Sequence, residues 1–128
     1  MTGKSLPKLT EAEFEIMKIV WAHGEVTTNE VLEAINARKP NKLKRTTIQV
    51  QMTRLEEKGW LIHRKHARTF SYQATRDREE VSADIARDIN TRVFDGSYTA
   101  LVRSLFQNSK ISRQELKRIR KILDEYEE

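Results

Sequence analysis

Apolar residues recur along the chain at two spacings, and the change from one to the other marks out the elements. Phe14, Ile16, Met17, Val20 and Trp21 follow one another at helical spacing and predict a first helix over residues 11–23. Thr10 and Glu13 at its head form a T-x-x-E capping box, and Gly24 is suited to end it. The same grammar returns with Thr27 and Glu30, followed by Val31, Leu32 and Ile35. Pro40 closes this second helix, predicted over 28–38, because the residue before a proline disfavours the helical region. Val26 falls in a short strand ahead of it. Ile48, Met52 and Leu55, spaced i, i+4, i+7, make one buried face of a third helix that stops at Gly59. The spacing then changes. Residues 60–65 and 69–73 are rich in aromatic and β-branched side chains and predict a hairpin, with Phe70 and Tyr72 on one face and 66–68 as the turn.

Helix, short strand, helix, helix, hairpin is the order of a winged helix-turn-helix domain. The expected fold class is therefore mainly α, an α+β winged helix over residues 1–75, with a helical region over 76–128. Val81, Ile85, Ile89 and Val93 recur every four residues between 78 and 94, and Gly96 ends that run. Tyr98, Leu101, Val102, Leu105 and Phe106 mark the next helix. Ser112 and Glu115 form a third capping pattern, followed by Leu116, Ile119, Ile122, Leu123 and Tyr126. About 50 residues are too few to bury so many apolar groups alone. A homodimer is expected through Ile85, Ile89, Val93, Leu101, Leu105, Phe106, Leu116, Ile119 and Leu123. The alternative is that these helices fold back on their own N-terminal domain. The acidic end, 124–128, reads as a frayed helix terminus rather than an interaction tail.

Charge separates the same two regions. The 128 residues carry 24 Lys and Arg against 19 Asp and Glu, a net of +5. Residues 1–76 hold 14 basic and 8 acidic side chains, whereas 77–128 hold 10 and 11, so the excess positive charge belongs to the winged-helix part. That bias suits a polyanionic partner. The chain has no cysteine, which excludes disulfides, Fe–S clusters, Cys-zinc sites and thiol catalysis. No apolar run is long enough to span a bilayer, and the first ten residues show no apolar h-region, so neither a membrane partner nor a signal peptide is expected and the expected location is cytoplasmic. His63 and His66 form H-x-x-H, but i and i+3 on a strand point to different faces, so no metal site is expected. Without a carboxylate pair, a Gly-rich phosphate loop or a nucleophile elbow, no catalysis and no cofactor are expected.

The remaining signal is a basic connection, a helix and a basic hairpin tip in series. The connection from Arg38 to Arg45 holds five basic residues in eight. A duplex presents phosphates on both sides of its major groove, so a helix reading base edges needs flanking cations. Thr46, Thr47 and Val50 are short enough to let the third helix approach closely. Their methyl groups suit thymine methyls, and the hydroxyls can bond bases or phosphates. Arg54 reaches a phosphate or a guanine. Lys44, Arg45, Arg64, Lys65 and Arg68 would supply most of the phosphate attraction. The expected partner is double-stranded operator DNA. The alternative is a winged-helix protein-interaction module whose basic surface binds an acidic partner.

Several runs resemble a known family. The segment Leu9-Thr10-Glu11-Ala12-Glu13-Phe14-Glu15-Ile16-Met17-Lys18-Ile19-Val20-Trp21 is similar to the opening of the penicillinase-repressor (BlaI/MecI/CopY) family. So are Thr47-Ile48-Gln49, Arg54-Leu55-Glu56-Glu57-Lys58-Gly59, Phe70-Ser71-Tyr72 and Val93-Phe94-Asp95-Gly96-Ser97, in that order, over roughly residues 6–126. Each motif is weak alone, and their joint order and spacing are specific. The resemblance implies a dimeric winged-helix repressor whose N-terminal domains each bind half of a palindromic operator, often TACA/TGTA, while the C-terminal helices interlock. It places the DNA contacts on Thr46, Thr47, Val50 and Arg54 and on the wing around Arg68. It also shows departures. Thr46 stands where β-lactam repressors usually have Lys, Val50 where they have Thr, and Ala67 where the wing usually has glycine. Ser104-Leu105 replaces the Asn-Phe bond at which those repressors are cut, and the cysteine cluster of copper-responsive members is missing. What releases the protein from DNA is not readable from these residues, and an unidentified sensor or protease is the further partner the resemblance leaves open.

Overall fold

The computed structural model describes residues 6–107 and 110–127. Glu128 of the acidic end, and residues 1–5 of the segment read for a signal peptide, lie outside them. The elements run α1 (Glu11–His23), β1 (Glu25–Val26), α2 (Thr28–Asn36), α3 (Arg45–Glu57), β2 (Leu61–His66), β3 (Thr69–Ala74), α4 (Arg78–Phe94), α5 (Tyr98–Phe106) and α6 (Arg113–Tyr126). They form two compact units, residues 1–81 and 82–128. The division falls inside α4, whereas the sequence reading divided the chain at 75/76, ahead of it. The first turn of α4 goes with the N-terminal unit because Val81 is buried in that unit's core.

The first unit is a winged helix. Both expected capping boxes close reciprocally: Thr10 Oγ1 accepts from Glu13 N–H while Glu13 accepts from Thr10 N–H, and Thr27 and Glu30 do the same. Each box satisfies two amides that the first turn of a helix leaves unpaired. The strands form one antiparallel sheet in the order β1-β3-β2. The core gathers Ile16, Met17 and Val20 of α1, Val31 and Ile35 of α2, Ile48, Met52 and Leu55 of α3, and Val26, Leu61 and Tyr72 of the sheet. These are the positions whose periodicity announced the elements. Trp60 is also buried, and its indole N–H donates to the Pro7 carbonyl at 2.8 Å. Glu13 and Lys58 tie the start of α1 to the end of α3, the ammonium lying 2.8 Å and 2.9 Å from the two carboxylate oxygens. Burial alone would raise the Glu13 pKa, but the hydrogen bonds from Lys58 and from Thr10 outweigh it and hold the carboxyl below its ordinary range.

Two boundaries differ from the sequence reading. Helix α2 ends at Asn36, two residues before the expected 38. Tighter turns follow it, with Arg38 N–H donating to the Ile35 carbonyl and Lys39 N–H to that of Asn36, and they stop at Pro40. The Asn36 side chain accepts from Leu43 N–H at 2.8 Å and donates to the Leu43 carbonyl at 3.0 Å, which folds the connection back on the helix. The hairpin turn is two residues, not three, since His66 still pairs with Thr69. Ala67 takes φ +55°, in the left-handed region that favours glycine.

In the second unit, α5 and α6 bury no side chain completely, and Ser97 and Ser112 cap their N-termini by accepting from Ala100 N–H and Glu115 N–H. Among the described residues of this unit Asn90 is the buried one, and its Oδ1 has no hydrogen-bond partner. Of the residues assigned to dimerisation, Ile85, Ile89, Val93, Leu105, Phe106 and Leu123 are exposed, and Leu101, Leu116 and Ile119 are half-buried. No helix among the described residues is long and apolar enough to cross a membrane.

Candidate nucleic-acid interface

The interface is built on α3. Its inner face is fixed by Ile48, Met52 and Leu55, all fully buried. At 100° per residue this leaves Thr46, Thr47, Val50 and Arg54 outward, and all four are exposed. Val50 is 53% exposed although it is β-branched and apolar, an unusual choice for a face meant only for water. Lys44, the N-cap of α3, makes no side-chain cap, so the first-turn amides of α3 are not closed as those of α1 and α2 are. Arg45 is braced: its Nε donates to Asn29 Oδ1 on α2 at 2.8 Å.

The five cations of the connection before α3 divide by role. Lys39 sits 3.4 Å from Glu15 on α1. Lys42 donates to the Asn36 carbonyl at 2.7 Å and so closes the end of α2. Both serve the fold, which composition could not reveal. Arg38, Lys44 and Arg45 remain exposed on the surface.

The wing divides its cations in the same way. Opposed residues of an antiparallel pair share a face. The register pairs Lys65 with Phe70 and His63 with Tyr72 on one face, and Arg64 with Ser71 and His66 with Thr69 on the other. Arg64 and Lys65 therefore point to opposite sides, while Arg68 stands in the turn. The Arg64 side also carries Glu25 of β1, which accepts from Ser71 Oγ and lies 3.4 Å from His66. The hydrogen bond from Ser71, then that from His66, holds the Glu25 carboxyl below its ordinary range, with Arg64 adding to the effect. His63 and His66 lie on opposite faces; His63 Nδ1 is 2.7 Å from Glu56 of α3, and its ring lies 4.6 Å from that of Phe70.

The start of α3 and the tip of the wing meet at a cleft of about 420 Å³, lined by Thr27, Asn29, Arg45, Gln49, Arg68 and Phe70 among others. The structure thus brings Arg45 and Arg68 to one place and sets Thr46, Thr47, Val50 and Arg54 along the adjoining helix. Asn29 and Gln49 were not singled out from the sequence as site residues. Neither has a local signature for these ties, since Asn29 meets Arg45 and Gln49 meets Thr28 and Tyr72 across 16 or more positions.

The family model of the penicillinase repressor matches residues 9–125. The chain belongs to the penicillinase repressor family. Among relatives, the penicillinase repressor of Bacillus licheniformis is 30% identical over 123 residues, covering 96% of this chain and 94% of that one. The methicillin resistance regulatory protein MecI of Staphylococcus aureus (strain N315) is 26% identical over 117 residues, covering 91% and 94%. The solution structure of the DNA-binding domain of the repressor BlaI matches with a TM-score of 0.52 and 35% identity, over 61% of this chain and 93% of that one. The monomeric form of Bacillus licheniformis BlaI in complex with the blaP half-operator matches with a TM-score of 0.50 and 34% identity, over 59% and 90%. The family resemblance and the winged-helix fold read from the sequence are thus both borne out, and the family is one of transcriptional repressors.

Proposed function

We propose that this penicillinase repressor family member is a DNA-binding transcriptional repressor that works as a cytoplasmic homodimer on a palindromic operator. Helix α3 enters the major groove with Thr46, Thr47, Val50 and Arg54 toward base edges. Lys44, Arg45, Arg64, Lys65 and Arg68 attract phosphates. The observation that carries the reading is the exposed, short-chained, uncharged face of α3 beside a cleft flanked by Arg45 and Arg68. The acidic-protein alternative is not favoured: a surface built for acidic side chains has no use for Thr46, Thr47 and Val50 at its centre. Ile85, Ile89, Val93, Leu105, Phe106 and Leu123 are the side chains a second copy would cover.

Fluorescence anisotropy against duplex from the region upstream of the gene and against scrambled duplex, at two salt concentrations, tests this. The expected result is a preference of about 10³-fold or more for the upstream duplex, with affinity falling steeply as salt rises. Arg54→Ala is expected to cost about 1–3 kcal/mol of specific binding. Equal binding to both duplexes would reject the repressor reading.

A further inference from the structure

Gln49 lies on α3 between its buried stripe and its exposed face, and it is half-buried. Its Oε1 accepts from Thr28 Oγ1 in the first turn of α2 at 2.8 Å. Its Nε2 donates to the Tyr72 hydroxyl on wing strand β3 at 3.1 Å and reaches Thr53 Oγ1 at 3.4 Å. Thr28 and Tyr72 are both buried, at 4% and 2% exposure, so water does not substitute freely for the amide at either end. One planar group therefore ties α2, α3 and the wing together from the floor of the cleft lined by Arg45 and Arg68. An apolar side chain of the same size would fill the space, but would leave two buried hydroxyls without their partner.

We propose that Gln49 is a positioning residue for DNA binding: its amide sets the spacing and angle between helix α3 and the wing. This rests on the DNA-binding reading above. Two contact points on one duplex reinforce each other only when their separation is fixed in advance. A loose wing must be ordered at the moment of binding, and that ordering subtracts from affinity. Specific binding needs α3 and the wing in register together. Non-specific binding needs only positive charge near phosphates and tolerates a loose wing. Gln49 thus acts on the discrimination between operator and other DNA. The competing role, reading an adenine edge directly, would require the amide to give up its bonds to Thr28 and Tyr72.

Tyr72 decides between these roles, because its buried side chain has no access to DNA. Gln49→Leu, Tyr72→Phe, Thr28→Val and the double variant Gln49→Leu/Tyr72→Phe would be compared with wild type for affinity to upstream and scrambled duplex. The expected result is an about tenfold fall in the upstream-to-scrambled ratio for Gln49→Leu, with scrambled binding little changed. Tyr72→Phe shares the fall in part, and the double variant is no worse than Gln49→Leu. A ratio within about twofold of wild type in Gln49→Leu, with only its melting temperature lowered, would show a merely structural role and overturn the proposal. A fall in Gln49→Leu that neither Tyr72→Phe nor Thr28→Val shares would show base reading and overturn it equally.

Amide hydrogen exchange of the DNA-free protein separates failure of this inference from failure of the function it rests on. Faster exchange across Thr69–Ala74 in Gln49→Leu, restored in Gln49→Glu, whose carboxylate accepts from both hydroxyls, supports the brace. Unchanged exchange overturns it. Wild-type protein that prefers no duplex overturns the proposed function and the DNA role of Gln49 together, while the exchange result still decides whether the amide holds the wing.

Discussion

The winged helix and the helices that follow it are equally amphipathic in sequence and opposite in structure. Every buried hydrophobic side chain of the described residues lies at or before Val81. Beyond it, Val93 is 65% exposed, Leu105 58% and Leu123 61%. Helical periodicity states that a face is apolar and is silent on what covers it. In the first unit the chain covers its own faces, with α1, α2, α3 and the sheet closing on one core. In the second, the apolar residues outnumber the surfaces the unit offers them, which is the reason to expect a second copy. The two regions should therefore respond to the same kind of change in different ways.

The largest effect is expected from separating them. Truncation after Ser82 keeps Val81 and the whole first core, and should leave a folded monomer whose operator affinity is lower by about 10²–10⁴, because bivalent engagement is lost. Sedimentation and anisotropy on the same samples check both halves of that statement. Within the first unit, Met52→Ala should cost about 2–5 kcal/mol, since it opens a cavity in a closed core. Its thermal midpoint should fall by the same amount at every protein concentration. Leu105→Ala in the second unit should instead give a midpoint that depends on concentration. Equal behaviour of the two variants would erase the contrast between the regions.

A smaller effect concerns the ion pair that closes the first unit. Glu13 has its pKa depressed in the folded state, so its contribution is present in full above the ordinary carboxylate pKa and is lost as pH falls through the folded value. Lys58→Met should cost about 2 kcal/mol at neutral pH. It should also flatten the acid limb of the stability curve, seen by urea titration as pH is lowered from neutrality to below the ordinary carboxylate pKa. The smallest effect is at the wing tip. Ala67 holds φ +55°, and Ala67→Gly should stabilise the hairpin by up to about 1 kcal/mol without changing the core. Loss of stability on that change would argue for a different turn.

What was legible in the sequence was local. The capping pairs Thr10–Glu13 and Thr27–Glu30 are three residues apart and formed as read. The inward stripe Ile48, Met52, Leu55 is one helix face, and its complement gave directly the exposed residues proposed to face DNA. The order of elements was enough to expect a winged helix, and the family was recognised from short sequence runs in their joint order and spacing. What escaped was side-chain pairing over long separations. Asn36 holds Leu43, Lys39 answers Glu15, Glu25 takes up Ser71, and Gln49 joins Thr28 to Tyr72. None of these pairs has a spacing rule, because each depends on how elements pack rather than on one element's period. The basic connection shows the consequence. Five cations in eight residues counted as one patch, yet Lys39 and Lys42 are engaged in holding the fold.

The most direct test is the stoichiometry of the complex with upstream duplex, measured by sedimentation velocity with protein and DNA monitored separately. Two chains per duplex, in a complex that competitor DNA of scrambled sequence does not displace, is the result predicted for a dimeric repressor. One chain per duplex, or a complex that scrambled DNA displaces equally well, would contradict it.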